Sequence, residues 1–201
     1  MEKTIICDVD GVVCDSIRGL ITFIGQETGR YYPYDSQTSY QLETGLGLST
    51  KEFQKFFLRY EEETCGLLDV PAIRGAIDAI AHLRQSGCKV LFATSRPDCL
   101  RDSTVEWLNR RFRVLPDEVF FASSVEPVTR PAGNGRKSKI EIAHDHQATA
   151  LIDDCPGELL AAMMYITPVP IVFTQPWNKF DERLKGINSG DWPSIDRLLR
   201  R

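Results

Sequence analysis

Two carboxylates stand at the end of an apolar run near the start of the chain. Residues 5–13 read Ile-Ile-Cys-Asp-Val-Asp-Gly-Val-Val, so Asp8 and Asp10 are separated by one residue. We expect a buried strand over residues 4–9 with both acids at its C-terminal end, where open α/β sheets bind ligands. Such close carboxylates repel each other unless a cation shares the site, and Mg²⁺ accepts all-oxygen ligands. The pattern indicates phosphoryl-transfer chemistry, although Asp-Gly also occurs in plain strand-turn connections.

Three later segments carry groups that suit the same chemistry. Two further apolar runs end in polar residues, and a lysine precedes the second run on a segment with a helical pattern. Hydroxyl groups and lysine can bind phosphoryl oxygens, while a second pair of acids can bind a cation. In chain order these residues are Thr94 and Ser95 after the run 89–93, Lys139, and Asp153 and Asp154 after the run 149–152.

These four motifs, taken in order, resemble those of the haloacid dehalogenase-like phosphohydrolases. Within that superfamily, residues 67–97 and the segment Thr174-Gln-Pro-Trp-Asn178 are similar to the cytosolic type C 5'(3')-deoxyribonucleotidases and their bacterial and phage relatives. One position departs from that family. Its members usually place an aromatic residue in the turn after the first motif, where this chain has Ser16.

The resemblance implies a role for each motif residue. Asp8 would be the nucleophile that forms an aspartyl phosphate, and Asp10 would be the general acid and then the general base. Thr94, Ser95 and Lys139 would bind the phosphoryl group. Mg²⁺ would be held by Asp8, by the backbone carbonyl of Asp10, and by Asp153 or Asp154. Lys137 competes for the role of the lysine, but the fourteen-residue separation of Lys139 from Asp153 matches the family interval.

The remaining pattern predicts an α/β fold with a doubly wound, Rossmann-like parallel sheet, because helical and strand patterns alternate after residue 70. We expect a helix beginning near Pro71 with a core-facing stripe that includes Ile77 and ends at Gly87. Ser103 and Glu106 predict a capping box that opens the next helix, and residues 119–121 predict a short strand.

Residues 16–69 interrupt that alternation and are expected to form a small helical cap inserted after the first strand. The catalytic core would then comprise residues 1–15 and 70–201. A helical pattern after Ser16 ends at Gly29, and a capping box of Ser49 with Glu52 precedes an amphipathic helix. We interpret the aromatic stripe of that helix as packing within the cap rather than as a binding surface; its residues are Phe53, Phe56, Phe57 and Tyr60.

Composition narrows the possible partners. The chain has 201 residues, 42% of them hydrophobic, and a net charge of −4, which disfavours a binder of nucleic acid polymers. The uncharged stretch 163–172 is far too short to span a bilayer, so no membrane is expected as a partner. The six cysteines show no zinc-site spacing, and the chain shows no secretory leader, so we expect a reducing, cytoplasmic location. Arg130 and Arg136, in the loop predicted at residues 123–136, could contact a phosphate, but we interpret them as solvent-exposed.

The expected substrate is a small phosphorylated molecule, with a nucleoside monophosphate favoured. Four tyrosines in an aperiodic stretch of the insertion suit the stacking of a planar base; these are Tyr31, Tyr32, Tyr34 and Tyr40. A phosphatase for sugar phosphates or other small metabolites remains an alternative, since only the cap would differ. A polynucleotide 3'-phosphatase and a catalytically silent binding protein are further alternatives.

Overall fold

A six-stranded parallel sheet organises the chain in the computed structural model, which describes residues 3–123 and 135–200. The strand order is β3-β2-β1-β4-β5-β6. The strands are β1 Lys3–Cys7, β2 Cys88–Thr94, β3 Val119–Phe121, β4 Ala150–Asp153, β5 Val169–Phe173 and β6 Asn188–Gly190. The helices are α1 Ser16–Thr28, α2 Leu42–Leu46, α3 Thr50–Glu63, α4 Ala76–Gln85, α5 Arg101–Phe112, α6 Lys139–Asp145, α7 Pro156–Ala162 and α8 Trp192–Leu199.

The central strands are apolar because helices cover both faces of the sheet. Along β1, Ile5 and Cys7 belong to one hydrophobic cluster, while Ile6 points to the other face and joins a second cluster. Each of these side chains is fully buried. Alternate residues of a strand point to opposite faces, so a strand covered on both sides reads as a continuous apolar run. The predicted doubly wound parallel sheet is therefore confirmed.

The strand order reverses next to β1, and this reversal locates the ligand-binding edge. Strand β2 pairs with one side of β1 and strand β4 with the other, both in parallel. In open α/β sheets, ligands bind outside the carboxyl ends of the strands at this point of reversal. The acids that follow β1 and β4 therefore lie where a ligand is expected.

Three helices lie between β1 and α4, in the segment predicted as a cap. Gly29 ends α1 with a positive φ of 65°, as predicted. Ser49 caps α3, and Glu52 completes the predicted capping box. Residues of α1 and α3 join the same hydrophobic cluster as one face of the sheet. The division of the chain into two domains stays a prediction.

Several predicted boundaries are wrong. Strand β1 ends at Cys7 rather than at residue 9. Helix α4 begins at Ala76, five residues after Pro71, and Ile77 is 47% exposed rather than core-facing. The predicted capping box of Ser103 is also wrong, because α5 begins at Arg101 and the Ser103 hydroxyl donates to the carbonyl of Leu100.

Strand β6 was not anticipated, because its residues lack an apolar pattern. Most of the loop predicted at residues 123–136 lies outside the described residues. Within the described ranges, no helix has the length and hydropathy needed to cross a bilayer.

Candidate active site

Three buried carboxylates meet at the ends of β1 and β4. Asp8 directly follows β1, and its backbone amide donates to the carbonyl of Ile152 over 2.9 Å, which extends the pairing of the two strands. Asp153 ends β4, and Asp154 follows it. One carboxylate oxygen from each of these acids lies within 4.8 Å of the others. The exposed fractions of Asp8, Asp153 and Asp154 are 6%, 0% and 2%.

Lys139 joins two of these acids. It is the first residue of α6, a helix capped by a reciprocal Ser138–Glu141 capping box. Its Nζ donates to Asp8 Oδ1 over 2.8 Å and to Asp153 Oδ2 over 2.7 Å. Lys137 instead contacts Asp145, and its side chain is 60% exposed. Of the two lysines considered in the sequence, the structure places Lys139 in the cluster and Lys137 outside it.

The cluster carries more negative than positive charge. Burial raises the pKa of Asp8 to about 7, and Asp153 adds to the rise although Lys139 opposes it. Burial and the neighbouring Asp8 also hold the pKa of Asp154 well above its usual range. The pKa of Lys139 is raised well above its ordinary value because Asp153 and Asp8 outweigh the effect of burial. Three carboxylates against one ammonium leave two excess charges, which fits a divalent cation with oxygen ligands.

The two acids at the end of β4 differ in their hydrogen-bond partners. Asp153 accepts Lys139 on Oδ2 and the backbone amide of Cys155 on Oδ1, so both of its oxygens are occupied. Asp154 lines the adjacent cavity, and no described residue donates a hydrogen bond to its carboxylate. Its backbone carbonyl accepts a hydrogen bond from the side-chain amide of Asn178 over 2.9 Å, which holds the backbone of Asp154 in place. Asp154 is therefore the acid of this pair that is free to bind a ligand.

Asp10 has a different partner, which the sequence analysis missed. Arg96 binds it with two hydrogen bonds, from Nε to Oδ2 over 2.8 Å and from Nη2 to Oδ1 over 2.7 Å. The Ser16 hydroxyl donates to the same Oδ1 over 2.5 Å. Burial alone would raise the pKa of Asp10, but the Arg96 guanidinium outweighs it and holds the pKa below its usual value. In this conformation Asp10 is an ionised carboxylate.

Arg96 is itself fixed by buried neighbours. Its Nη1 donates to Thr104 Oγ1 over 3.1 Å, and its Nη2 contacts Cys14 Sγ at 3.2 Å. Only 5% of the residue is exposed. Its position in the sequence could have identified Arg96 as a site residue, because it directly follows Thr94 and Ser95 at the end of β2. A cation that follows a buried strand at the ligand-binding edge is a candidate site residue on that ground.

The hydroxyl residues at the end of β2 complete the polar end of the site. Thr94 is 1% exposed, and its Oγ1 accepts the backbone amide of Arg96 over 3.2 Å. Thr94 and Ser95 line a cavity of about 200 Å³ together with the other predicted site residues, except Asp153. Those other lining residues are Asp8, Asp10, Lys139 and Asp154.

The opposite wall of the cavity comes mainly from the insertion and is largely apolar. Phe53 and Phe57 of α3 line it with their rings stacked, 6.4 Å between centroids and 18° between planes. The interpretation of this stripe as packing alone is therefore incomplete, because these two residues also face the cavity. Of the four tyrosines considered for base stacking, Tyr40 lines the cavity, whereas Tyr31 is 88% exposed. Tyr34 packs instead against Trp177.

The segment after β5 contacts the loops that follow β1 and β4. Gln175 Nε2 donates to the carbonyl of Gly11 over 2.6 Å, and Trp177 Nε1 donates to the carbonyl of Asp154 over 3.3 Å. This is the segment that contributed to the resemblance in sequence. Its function in the structure is to tie the loop after β1 to the loop after β4.

Arg136 differs from its predicted exposure. Only 8% of its side chain is exposed, and it pairs with Asp98 at 2.7 Å while donating to the carbonyl of Arg96. The interpretation of Arg136 as a solvent-exposed residue is therefore wrong. Arg130, considered with it, lies outside the described residues.

Solved structures show which fold this is. A haloacid dehalogenase-like hydrolase from Streptococcus pneumoniae is 18% identical and superposes with a TM-score of 0.55, over 100% of this chain and 91% of that one. A protein from Clostridium acetobutylicum described as a predicted phosphatase is 13% identical, with a TM-score of 0.60 over 100% and 97% of the two chains. The fold is haloacid dehalogenase-like.

A provisionally named beta-phosphoglucomutase from Thermotoga maritima has the same fold. It is 16% identical, with a TM-score of 0.61 over 98% of each chain. No family model and no curated protein matches the sequence.

Proposed function

We propose that this protein is a Mg²⁺-dependent phosphomonoesterase that works through an aspartyl phosphate. The observation that carries the proposal is the buried contact of Asp8 with Lys139, at the floor of a cavity that Asp10 also lines. A nucleophile, a cation for the phosphoryl group and a second acid are thus available to one substrate. The haloacid dehalogenase-like fold of named hydrolases and phosphatases supports the same reaction class.

The proposed chemistry has two steps. In the first, an Asp8 oxygen attacks phosphorus, the bond to the leaving oxygen breaks, and Asp10 gives its proton to the leaving alkoxide. In the second, Asp10 takes a proton from water, whose oxygen attacks the aspartyl phosphate and releases phosphate and Asp8. Lys139 would neutralise a phosphoryl oxygen, and the hydroxyls of Thr94 and Ser95 would donate to the others. Because Arg96 holds the resting Asp10 ionised, Asp10 must acquire its first proton as substrate binds.

The carboxylate cluster fits a resident Mg²⁺. Asp8 and Asp154 would be direct ligands, together with the backbone carbonyl of Asp10, as the resemblance in sequence implies. Asp153 would position Lys139, because both of its oxygens already accept hydrogen bonds. When bound, the cation would neutralise the phosphate and the excess negative charge of the cluster.

For the leaving group, we retain a nucleoside monophosphate as the favoured substrate. The stacked pair of Phe53 and Phe57, with Tyr40 nearby, offers a planar base apolar surface and aromatic faces. A substrate of this kind is small, and it requires neither a nucleic acid polymer nor a membrane as partner. A cytoplasmic location, where nucleotides are abundant, stays a prediction.

A sugar-phosphate phosphatase is the second candidate, and the size of the cavity favours it. The cavity of about 200 Å³ is smaller than the ~300–1,000 Å³ typical of sites for drug-sized ligands. A small sugar phosphate would fill this cavity more completely, whereas part of a nucleotide would extend beyond it. The provisionally named phosphoglucomutase with the same fold points in the same direction.

Phosphate release from an aryl phosphate tests the reaction class. Wild-type protein should release phosphate with Mg²⁺, lose activity in EDTA and regain it when Mg²⁺ is added back. Asp8→Asn should keep less than about a tenth of the rate, a loss above about 1.4 kcal/mol. Lys139→Met should also lower the rate, because it removes the cation proposed to bind the phosphoryl group. Its matched control is Lys137→Met, which changes an exposed lysine outside the cluster. Full activity in EDTA, or in Asp8→Asn, would contradict the proposal.

Substrate choice is tested separately. The values of kcat/KM for ribonucleoside and deoxyribonucleoside monophosphates, both 5' and 3', are compared with those for hexose, pentose and triose phosphates. A sugar phosphate that outranks every nucleotide by about tenfold, or about 1.4 kcal/mol, would replace the favoured candidate with the second one.

A further inference from the structure

One acid in the cavity is not used by the proposed mechanism. Glu43 lies in the first turn of α2, on the wall contributed by the insertion. It is half-buried, and its carboxylate has no hydrogen-bond or ion-pair partner among the described residues. At the opposite end of the cavity, Lys139 contacts Asp8 and Arg96 contacts Asp10, while Asp154 is assigned to the metal by the proposed mechanism.

Most of the side chains that share this wall of the cavity with Glu43 are apolar. Its neighbour Leu42 is 7% exposed and lines the same cavity, as do the stacked rings of Phe53 and Phe57. A substrate that fills the cavity displaces water from this wall. The carboxylate would then lose its water hydrogen bonds, and an unsatisfied charged group is costly in an apolar environment.

An ionised carboxylate accepts hydrogen bonds and cannot donate them. A leaving group that brings an N–H donor or an ammonium to Glu43 restores the lost hydrogen bonds, with a charge-assisted contact that is stronger than a neutral one. A leaving group that presents a carbonyl oxygen at the same place leaves two acceptors facing each other. This wall of the cavity therefore favours leaving groups that present a hydrogen-bond donor over leaving groups that present an acceptor.

We propose that Glu43 is a specificity-determining residue that favours leaving groups bearing an amino group. The proposal rests on the proposed phosphatase function but not on the choice between nucleotides and sugar phosphates. Among pyrimidine nucleotides, cytosine carries an exocyclic amino group where uracil carries a carbonyl oxygen. Among hexose phosphates, glucosamine 6-phosphate carries an amino group where glucose 6-phosphate carries a hydroxyl.

These two matched pairs define the experiment. The values of kcat/KM for CMP and UMP, and for glucosamine 6-phosphate and glucose 6-phosphate, are measured for wild type and Glu43→Gln. Within the pair that it hydrolyses better, the wild type should prefer the substrate that carries the amino group. Glu43→Gln keeps an acceptor but loses the charge and adds a donor, so we expect this preference to fall by about tenfold, or about 1.4 kcal/mol.

Glu62→Gln is the matched control, because Glu62 is exposed on α3 and does not line the cavity. It should leave the preference unchanged, and thermal unfolding of both variants checks their folding. A preference that stays within about twofold of wild type in Glu43→Gln would overturn the assignment of Glu43. It would also be overturned if, within the pair that it hydrolyses better, the wild type favoured the substrate without the amino group. Loss of the proposed function itself would look different, since then neither the four substrates nor an aryl phosphate would be hydrolysed.

Discussion

Two isosteric substitutions, two residues apart, should change stability in opposite directions in the absence of Mg²⁺. Asp8→Asn removes a charge from a cluster with an excess of carboxylates. Asp10→Asn removes the only carboxylate that the structure pairs with Arg96 among the described residues. We expect the first change to stabilise the metal-free protein and the second to destabilise it.

The distances give the size of the first effect. At 4.8 Å, the outer limit for the cluster, each repulsion of Asp8 by Asp153 or Asp154 amounts to about 3.5 kcal/mol with an effective dielectric constant of about 20. The attraction to Lys139 at 2.8 Å amounts to about 6 kcal/mol on the same basis. When all three carboxylates are ionised, Asp8→Asn removes two repulsions and one attraction, a gain of about 1 kcal/mol. Relief of the desolvation that raises the pKa of Asp8 to about 7 acts in the same direction.

The second effect has the opposite sign because the negative charge of Asp10 is matched by the positive charge of Arg96. Removing the carboxylate leaves the guanidinium, whose side chain is 3% exposed, with an amide as its partner. Breaking a buried ion pair from one side costs about 3–5 kcal/mol. The Asp10 side chain is 28% exposed, and the amide that replaces its carboxylate would still accept one hydrogen bond, so we expect a loss near the lower end, about 3 kcal/mol.

Urea unfolding in EDTA measures both effects, with wild type as the reference and far-UV circular dichroism as the probe. The reasoning fails if both variants shift the free energy of unfolding in the same direction. Repeating the measurement with Mg²⁺ adds a check. A cation at about 100 times its Kd stabilises the wild type by about 2.7 kcal/mol, and Asp8→Asn should lose most of this increment.

Two further predictions concern the same loops. Gly11 has a φ of +76°, and a Cβ there would overlap Asp154 Oδ2, whereas a Cβ at Gly87, with a φ of +84°, would meet nothing within 4 Å. Both alanine variants should lose about 1–2 kcal/mol to the left-handed backbone, but only Gly11→Ala should lose about 1–3 kcal/mol more to overpacking and also its activity. Equal losses in thermal and urea unfolding would contradict the placement of Asp154 against Gly11. Asp10→Asn should slow hydrolysis of an alkyl phosphate far more than that of an activated aryl phosphate, whose leaving group needs no proton. Burst kinetics must show that the first step is being compared, since equal losses in that step would exclude Asp10 as the acid.

The strand ends could be predicted from the sequence because local patterns determine them. Apolar runs followed by Asp8, Thr94 and Asp153 give buried parallel strands, and the carboxyl ends of such strands share one edge of the sheet. The site residues therefore come together even though the exact strand boundaries were wrong. Strand β1 ends early because the carbonyl of Val9 accepts the amides of Val13 and Cys14, which closes a tight turn.

The features that sequence analysis missed depend on contacts between distant residues. Helix α4 does not begin at Pro71 because the preceding segment is held against the loop after β1. The carbonyl of Pro71 accepts the amide of Asp15 over 3.0 Å, and the amide of Ile73 donates to the carbonyl of Val13 over 2.8 Å. The partnership of Arg96 with Asp10 spans 86 residues. No local pattern encodes such a pairing, and tertiary contacts override local propensity at these places.

The cavity combines two parts of the chain that should respond differently to substitution. The strand ends supply the groups proposed to contact the phosphoryl group, which is common to every phosphomonoester. The insertion supplies most of the opposite wall, including Phe53, Phe57 and Glu43, which would contact only the leaving group. Changes at the strand ends should therefore lower kcat/KM for all substrates by similar factors, whereas changes in the insertion should alter the ratios between substrates. This separation makes substrate preference adjustable without disturbance of the buried charges on which the chemistry depends.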